Sequence, residues 1–93
     1  MLEIVTFKPQ PITNLFDRIK RSDSADILVD LESEISRSSE KVLRHADDLA
    51  TDMLHDRGYC MVVGVRSYIN PSSDDIARVR LAAIYLAQSC ARG

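Results

Sequence analysis

The chain has 93 residues, so one domain spanning residues 1–93 is expected, and a chain this short buries only about 60–65% of the surface that it exposes when unfolded. Hydrophobic residues make up 45% and charged residues 28%, a composition that is typical of folded proteins and excludes an intrinsically disordered one. The net charge is −2, with ten acidic and four basic side chains in residues 23–57 and a small basic excess on either side, which favours pairing within or between subunits over a nucleic-acid-binding surface.

The first two predicted elements are a short strand and a short helix. Residues 2–7 alternate and are rich in β-forming side chains, which predicts a strand that ends at Pro9 and Pro11. Pro11 suits the first turn of a helix. Apolar side chains then recur at the i, i+3, i+4, i+7 spacing of one helical face: Ile12, Leu15, Phe16 and Ile19. This spacing predicts a helix over about 11–21.

The middle of the chain carries the longest apolar stripe. A cluster of capping residues, Ser22-Asp23-Ser24, precedes it. Eight apolar side chains then fall within one helical sector: Leu28, Leu31, Ile35, Val42, Ala46, Leu49, Ala50 and Met53. The stripe predicts a single long helix over about 25–56 with Gly58 as its C-terminal cap. The alternative is a break near Ser38, because the serines there are weak helix formers.

A second strand and a final helix complete the predicted order. Residues 59–69 are rich in β-branched and aromatic side chains, which predicts a strand with a bulge or a close backbone approach at Gly64. Asn70-Pro71 predicts a turn before a helix over about 73–91, whose residues 81–87 are almost wholly apolar. The fold class is therefore predicted as mostly α with a minor β component (α+β), in the order strand, short helix, long helix, strand, helix.

Several residues have spacings that could support chemistry. His45 with Asp48, and Asp52 with His55, have the spacing of metal-chelating pairs on a helix, but an ordinary solvated face is the favoured interpretation because a site needs ligands from a second element. Both cysteines, Cys60 and Cys90, are predicted to be buried, reduced thiols. We therefore predict no catalytic residues, no metal site and no cofactor. The absence of a leader-like or membrane-spanning apolar run predicts a cytoplasmic protein without a membrane partner.

Two small basic clusters provide an alternative interpretation. One is in the short helix and the other is in the last helix, and their members are Arg18, Lys20 and Arg21, and Arg78, Arg80 and Arg92. They favour a nucleic-acid-associated transcriptional regulator, although the last helix opens with two acids, Asp74 and Asp75, which phosphates would repel. A metal-dependent enzyme using the His and Asp pairs is a third possibility.

The leading interpretation is a non-enzymatic protein–protein interaction module, such as an adaptor, an inhibitor or a chaperone-like regulator. A helix that is apolar on most sides in so short a chain indicates an interface. The predicted anchors are in the last helix: Leu81, Ile84, Tyr85 and Leu86. Asp48 and Asp52, on the acidic face of the long helix, are predicted to steer a partner with a basic surface. A homo-oligomer, a dimer in the simplest case, is also expected.

Overall fold

Five helices follow one another in residues 10–65 and 69–92, which are the residues that the computed structural model describes. They are α1 (Gln10–Arg21), α2 (Ser24–Arg37), α3 (Glu40–Met53), α4 (Arg57–Val62) and α5 (Ser73–Arg92). These ranges contain no strand, so the predicted α+β fold is wrong. The predicted strand over residues 2–7 lies outside the described residues.

The predictions for the first and last helices are confirmed. α1 begins one residue before the predicted start, and α5 closely matches its predicted range. Ser72 and Asp75 cap the start of α5 reciprocally, because the Asp75 N–H donates to Ser72 Oγ at 3.1 Å and the Ser72 N–H donates to Asp75 Oδ2 at 3.2 Å. The capping satisfies two backbone donors that the first turn of a helix leaves without partners.

The predicted single long helix is wrong, and the break near Ser38 is the correct alternative. Ser38 has an extended backbone with ψ of 149°, and Ser39 begins α3 by accepting a hydrogen bond from the Val42 N–H at 3.2 Å. Serine hydroxyls compete for backbone groups and favour a cap over a continuous helix. The predicted apolar stripe continues on both sides of the break. On α2 and α3 most of its side chains pack toward α5, whereas Leu28 stays exposed.

The predicted strand over residues 59–69 is also wrong, because its first residues form α4. Asp56 caps α4 by accepting from the Tyr59 N–H at 3.1 Å. The helix ends in a Schellman motif, in which the Val65 N–H donates to the Cys60 carbonyl at 2.9 Å and the Gly64 N–H donates to the Met61 carbonyl at 3.2 Å. These local caps outweigh the β-propensity of the side chains between them.

Gly64 makes the predicted close backbone approach without the predicted bulge, and Gly58 does not have its predicted role. Gly64 has a φ of 82°, the left-handed conformation that the Schellman motif requires, and it is not part of a β-bulge. A Cβ at Gly64 would also lie 3.3 Å from Lys20 Cα, so the end of α4 packs closely on α1. Gly58 lies inside α4 and does not cap the preceding helix, because α3 already ends at Met53.

The last helix lies at the centre of the fold. α5 packs most extensively against α3, then α2, then α1, whereas α2 and α3 make few direct contacts with each other. Gln88 Nε2 donates to Glu34 Oε1 and to Ser38 Oγ, both at 2.9 Å, and ties the end of α2 to the end of α5. The apolar residues of α5 are therefore buried mainly by this chain's own helices. None of the described helices has both the length and the apolar content that a bilayer-spanning segment needs.

Candidate functional site

The predicted anchors in α5 lie mostly inside the fold. Leu81 and Ile84 are 1% and 3% exposed, so these two side chains pack mainly against this chain's own helices. Tyr85 and Leu86 are half-buried against the core. Burial raises the pKa of the Tyr85 hydroxyl, and the carboxylates of Glu34 and Asp30 on α2 raise it further.

The predicted steering residues lie on the surface. Asp48 and Asp52 are exposed on the side of α3 that points away from α5. Within residues 10–65 and 69–92, neither carboxylate forms an ion pair or a hydrogen bond. Both acids are therefore free to act on an approaching charged surface from this part of the chain.

A cavity of about 170 Å³ lies between α2, α3 and α5, near the turn that connects α2 to α3. Each of the three helices contributes to its lining, which consists of Ile35, Leu43, Ala46, Asp47, Arg80 and Ile84. The lining combines apolar and polar surface in similar amounts, with one carboxylate on the α3 wall and one guanidinium on the α5 floor. A mixed lining of this kind can bury apolar side chains of a ligand, and its charges can orient the ligand through polar groups.

Two exposed apolar side chains lie beyond the cavity, on two of the helices that line it. Ile76 lies one turn before Arg80 on the same face of α5, and Leu28 lies two turns before Ile35 on the same face of α2. Ile76 is 38% exposed and Leu28 is 54% exposed. α2 and α5 run in the same direction, so both side chains lie toward the same end of the fold. We call the resulting surface the groove and define it by Leu28, Ile35, Leu43, Asp47, Ile76 and Arg80.

The walls of the groove are acidic and its floor carries one base. Glu32 lies one turn after Leu28 and is exposed along the α2 wall, whereas Asp47 lies on the α3 wall. Neither acid, nor Arg80, has an ion pair with any residue that the structure describes. Other acids nearby are paired, such as Glu40, which lies 3.2 Å from Arg44 Nη2. The charges of the groove are therefore available to a ligand.

The His and Asp pairs with chelating spacing lie on an exposed part of the described chain. His45 is exposed and lines a separate cavity of about 450 Å³ with Cys90, between α3 and the end of α5. His55 lies beyond the end of α3, where its Nδ1 is 2.9 Å from the Thr51 carbonyl oxygen. In the described ranges, no three side chains of the metal-ligating types are grouped closely enough to hold an ion.

The two cysteines differ in exposure. Cys60 is fully buried, as predicted, and its Sγ lies 3.5 Å from the Met53 carbonyl oxygen. Burial raises the pKa of this thiol, and the carboxylates of Asp56 and Asp75 raise it further, so its nucleophilic thiolate form is suppressed. Cys90 is exposed, and the prediction that it is buried is wrong. It lies in the last turn of α5, where it lines the cavity that it shares with His45.

Few of the basic residues in the two predicted clusters remain free. Arg18 pairs with Asp30 at 3.5 Å, and Arg21 pairs with Asp17 at 3.2 Å. Arg78 is buried and donates to main-chain carbonyls of α1 and of the loop that follows it. Arg80 lies in the groove, and the side chain of Arg92 lies outside the described residues. These pairings leave fewer cations to contact phosphates than the sequence suggested.

Sequence reasoning missed the groove. One signal could have found it, because Ile76 is an isolated large apolar side chain within the polar first turns of α5. Leu28 gave no such signal, because it follows the same seven-residue repeat as apolar side chains that are partly buried. No protein-family model, no characterised protein sequence and no solved structure matches this chain.

Proposed function

We propose that this chain is a non-catalytic protein–protein interaction module that binds its partner through the groove. The observation that carries the proposal is the exposure of Leu28 and Ile76 on two of the helices that line a cavity with both apolar and charged side chains. Apolar side chains grouped at a concave surface are typical of binding sites, whereas apolar side chains scattered singly need no explanation.

The energy available from these side chains suits a reversible interaction. Burying the exposed halves of two such side chains contributes about 2 kcal/mol, which is too little for tight binding without further contacts. The exposed carboxylates of Asp48 and Asp52 add long-range attraction toward a basic partner, which speeds association more than it raises affinity. An adaptor or regulator that binds and releases its partner fits this combination.

The proposal is tested by substituting the two exposed groove residues. Leu28→Asp and Ile76→Asp place a carboxylate on the apolar surface, which a bound partner would have to desolvate. Proteins retained by the immobilised parent chain from the native host are compared with those retained by each variant. We expect a specific partner of the parent chain to be lost with both variants.

Val29→Asp is the matched control. Val29 is 65% exposed on the same helix, but it points away from the groove. The Val29→Asp substitution introduces the same charge in the same helix as Leu28→Asp, so this variant should retain the partner. Retention of the partner by Leu28→Asp, or equal loss with Val29→Asp, would contradict the proposal. Light scattering of the purified chain distinguishes a second copy from a different protein as the partner.

A further inference from the structure

We propose that the occupant of the groove is an amphipathic helix of a partner protein, with basic side chains on both flanks of its apolar face. This inference rests on the proposed function and adds the chemistry of the partner to it. It follows from two properties of the groove, which are the length of its floor along α5 and the sign of the charges along its two walls.

The shape of the groove favours a helix as the ligand. The floor from Ile76 to Ile84 extends along α5 for about 12 Å, a little over two helical turns, which accommodates apolar side chains spaced at i and i+4. An extended peptide usually binds by adding a strand to a sheet edge, and the described part of the chain offers no such edge. An amphipathic helix needs only an apolar groove, because its backbone hydrogen bonds are internal.

The charges of the groove specify basic flanks. Asp47 lines the cavity on the α3 side and Glu32 is exposed on α2 one turn after Leu28, and neither carboxylate forms an ion pair with a described residue. Lysine or arginine side chains on both flanks of a bound helix would approach these carboxylates. Arg80 lies on the floor between the walls and repels a cation at the centre of the apolar face, so the basic residues belong on the flanks and not in the middle.

Two synthetic amphipathic helices test this inference directly. Each peptide has about 15 residues, a length at which an isolated helix is still only marginally stable. Both peptides carry the same leucine face. One has lysine on both flanks of that face and the other has glutamate. Binding to the full chain is measured by fluorescence anisotropy. We expect the lysine peptide to bind at least about tenfold more tightly than the glutamate peptide, and its affinity to fall as salt is added.

Charge reversal in the walls provides the decisive comparison. The double variant Glu32→Lys/Asp47→Lys should reverse the preference and bind the glutamate peptide more tightly. Misfolding cannot produce such a reversal, because an unfolded chain would lose both peptides. The control Asp17→Lys/Asp26→Lys adds the same charge on α1 and on the side of α2 that points away from the groove, and it should change the lysine-peptide affinity by less than about threefold in physiological salt.

The outcomes separate this inference from the proposed function. Equal binding of the two peptides, no binding of either peptide, or an unchanged preference in the double variant would overturn the inference. If the peptides fail while Leu28→Asp still abolishes partner retention, the groove binds a partner of different chemistry and the proposed function stands. If Leu28→Asp retains the partner, the proposed function itself is overturned.

Discussion

The first half of α5 carries two arginines on opposite sides of the helix, and their surroundings differ. Arg78 is buried against α1, where Nε lies 2.9 Å from Asp74 Oδ2 and Nη2 lies 2.6 Å from the Ser22 carbonyl oxygen. Arg80, two residues later and on nearly the opposite side of the helix, is exposed in the groove and has no described ion-pair partner. Burial and available acceptors therefore decide whether an arginine stabilises the fold or remains free for a ligand.

The burial of Arg78 is favourable because its acceptors match its donors. The guanidinium has five N–H donors, and it meets a carboxylate and the carbonyl oxygens of Ile19 and Ser22, at the end of α1. The last carbonyls of a helix carry partial negative charge and have no partners within the helix. Arg78 therefore caps α1 from a distant part of the chain and fixes α1 on α5.

Replacement of Arg78 should produce the largest effect. Arg78→Ala leaves the carbonyls of Ile19 and Ser22 without their buried donors, and we expect the free energy of unfolding to fall by about 4 kcal/mol. Urea denaturation followed by circular dichroism measures this change. Arg80→Ala is the matched control and should change stability by no more than about 0.5 kcal/mol. Similar losses for both variants would remove the distinction between the two sides.

Replacement of Gly64 should have an intermediate effect on the Arg78 side of α5. Gly64 lines a cavity with Lys20 and Arg78, and its φ of 82° strains any residue with a Cβ. We expect Gly64→Ala to lower the free energy of unfolding by about 1–2 kcal/mol. Gly58→Ala should act in the opposite direction by about 0.5 kcal/mol, because Gly58 lies in a helix with space for a methyl group. A stabilising Gly64→Ala would contradict the Schellman assignment.

The buried thiol of Cys60 should make a smaller, pH-dependent contribution. Its pKa is raised in the folded chain above the ordinary value of 9.0, so folding favours the protonated thiol. The associated stability is present below pH 9.0 and is lost as the pH rises through the folded pKa. Unfolding midpoints at about pH 8 and about pH 10 should therefore differ less in Cys60→Ala than in the parent.

Cys90→Ala controls for the loss of a thiol. Cys90 is exposed, so this variant should keep the alkaline slope of the parent chain. Tyr59 adds a slope of the same sign to every variant, because burial also raises the pKa of its hydroxyl. An unchanged slope in Cys60→Ala, or an equal reduction in Cys90→Ala, would show that the burial of Cys60 does not contribute to the pH dependence.

Local sequence signals predicted α1 and α5 correctly because periodicity and capping act within a few residues. Capping rules also favour the observed structure at the boundary between α2 and α3 and in α4, but another sequence pattern favours a different structure in each region. Ser39 caps α3, although the unbroken apolar stripe favoured one long helix. Asp56 and Gly64 mark the two ends of α4, although the β-branched side chains between them favoured a strand.

Composition and periodicity are enough to predict that this chain is folded, that its helices have apolar stripes and that its acids are concentrated in the middle. Which apolar side chains are covered depends on how the helices pack. Leu81 and Ile84 are buried because α5 lies between α2 and α3, whereas Leu28 and Ile76 remain exposed toward the other end of α5, beyond the cavity lining. Periodicity fixes the face of a helix on which a residue lies, but exposure depends on where the other helices pack.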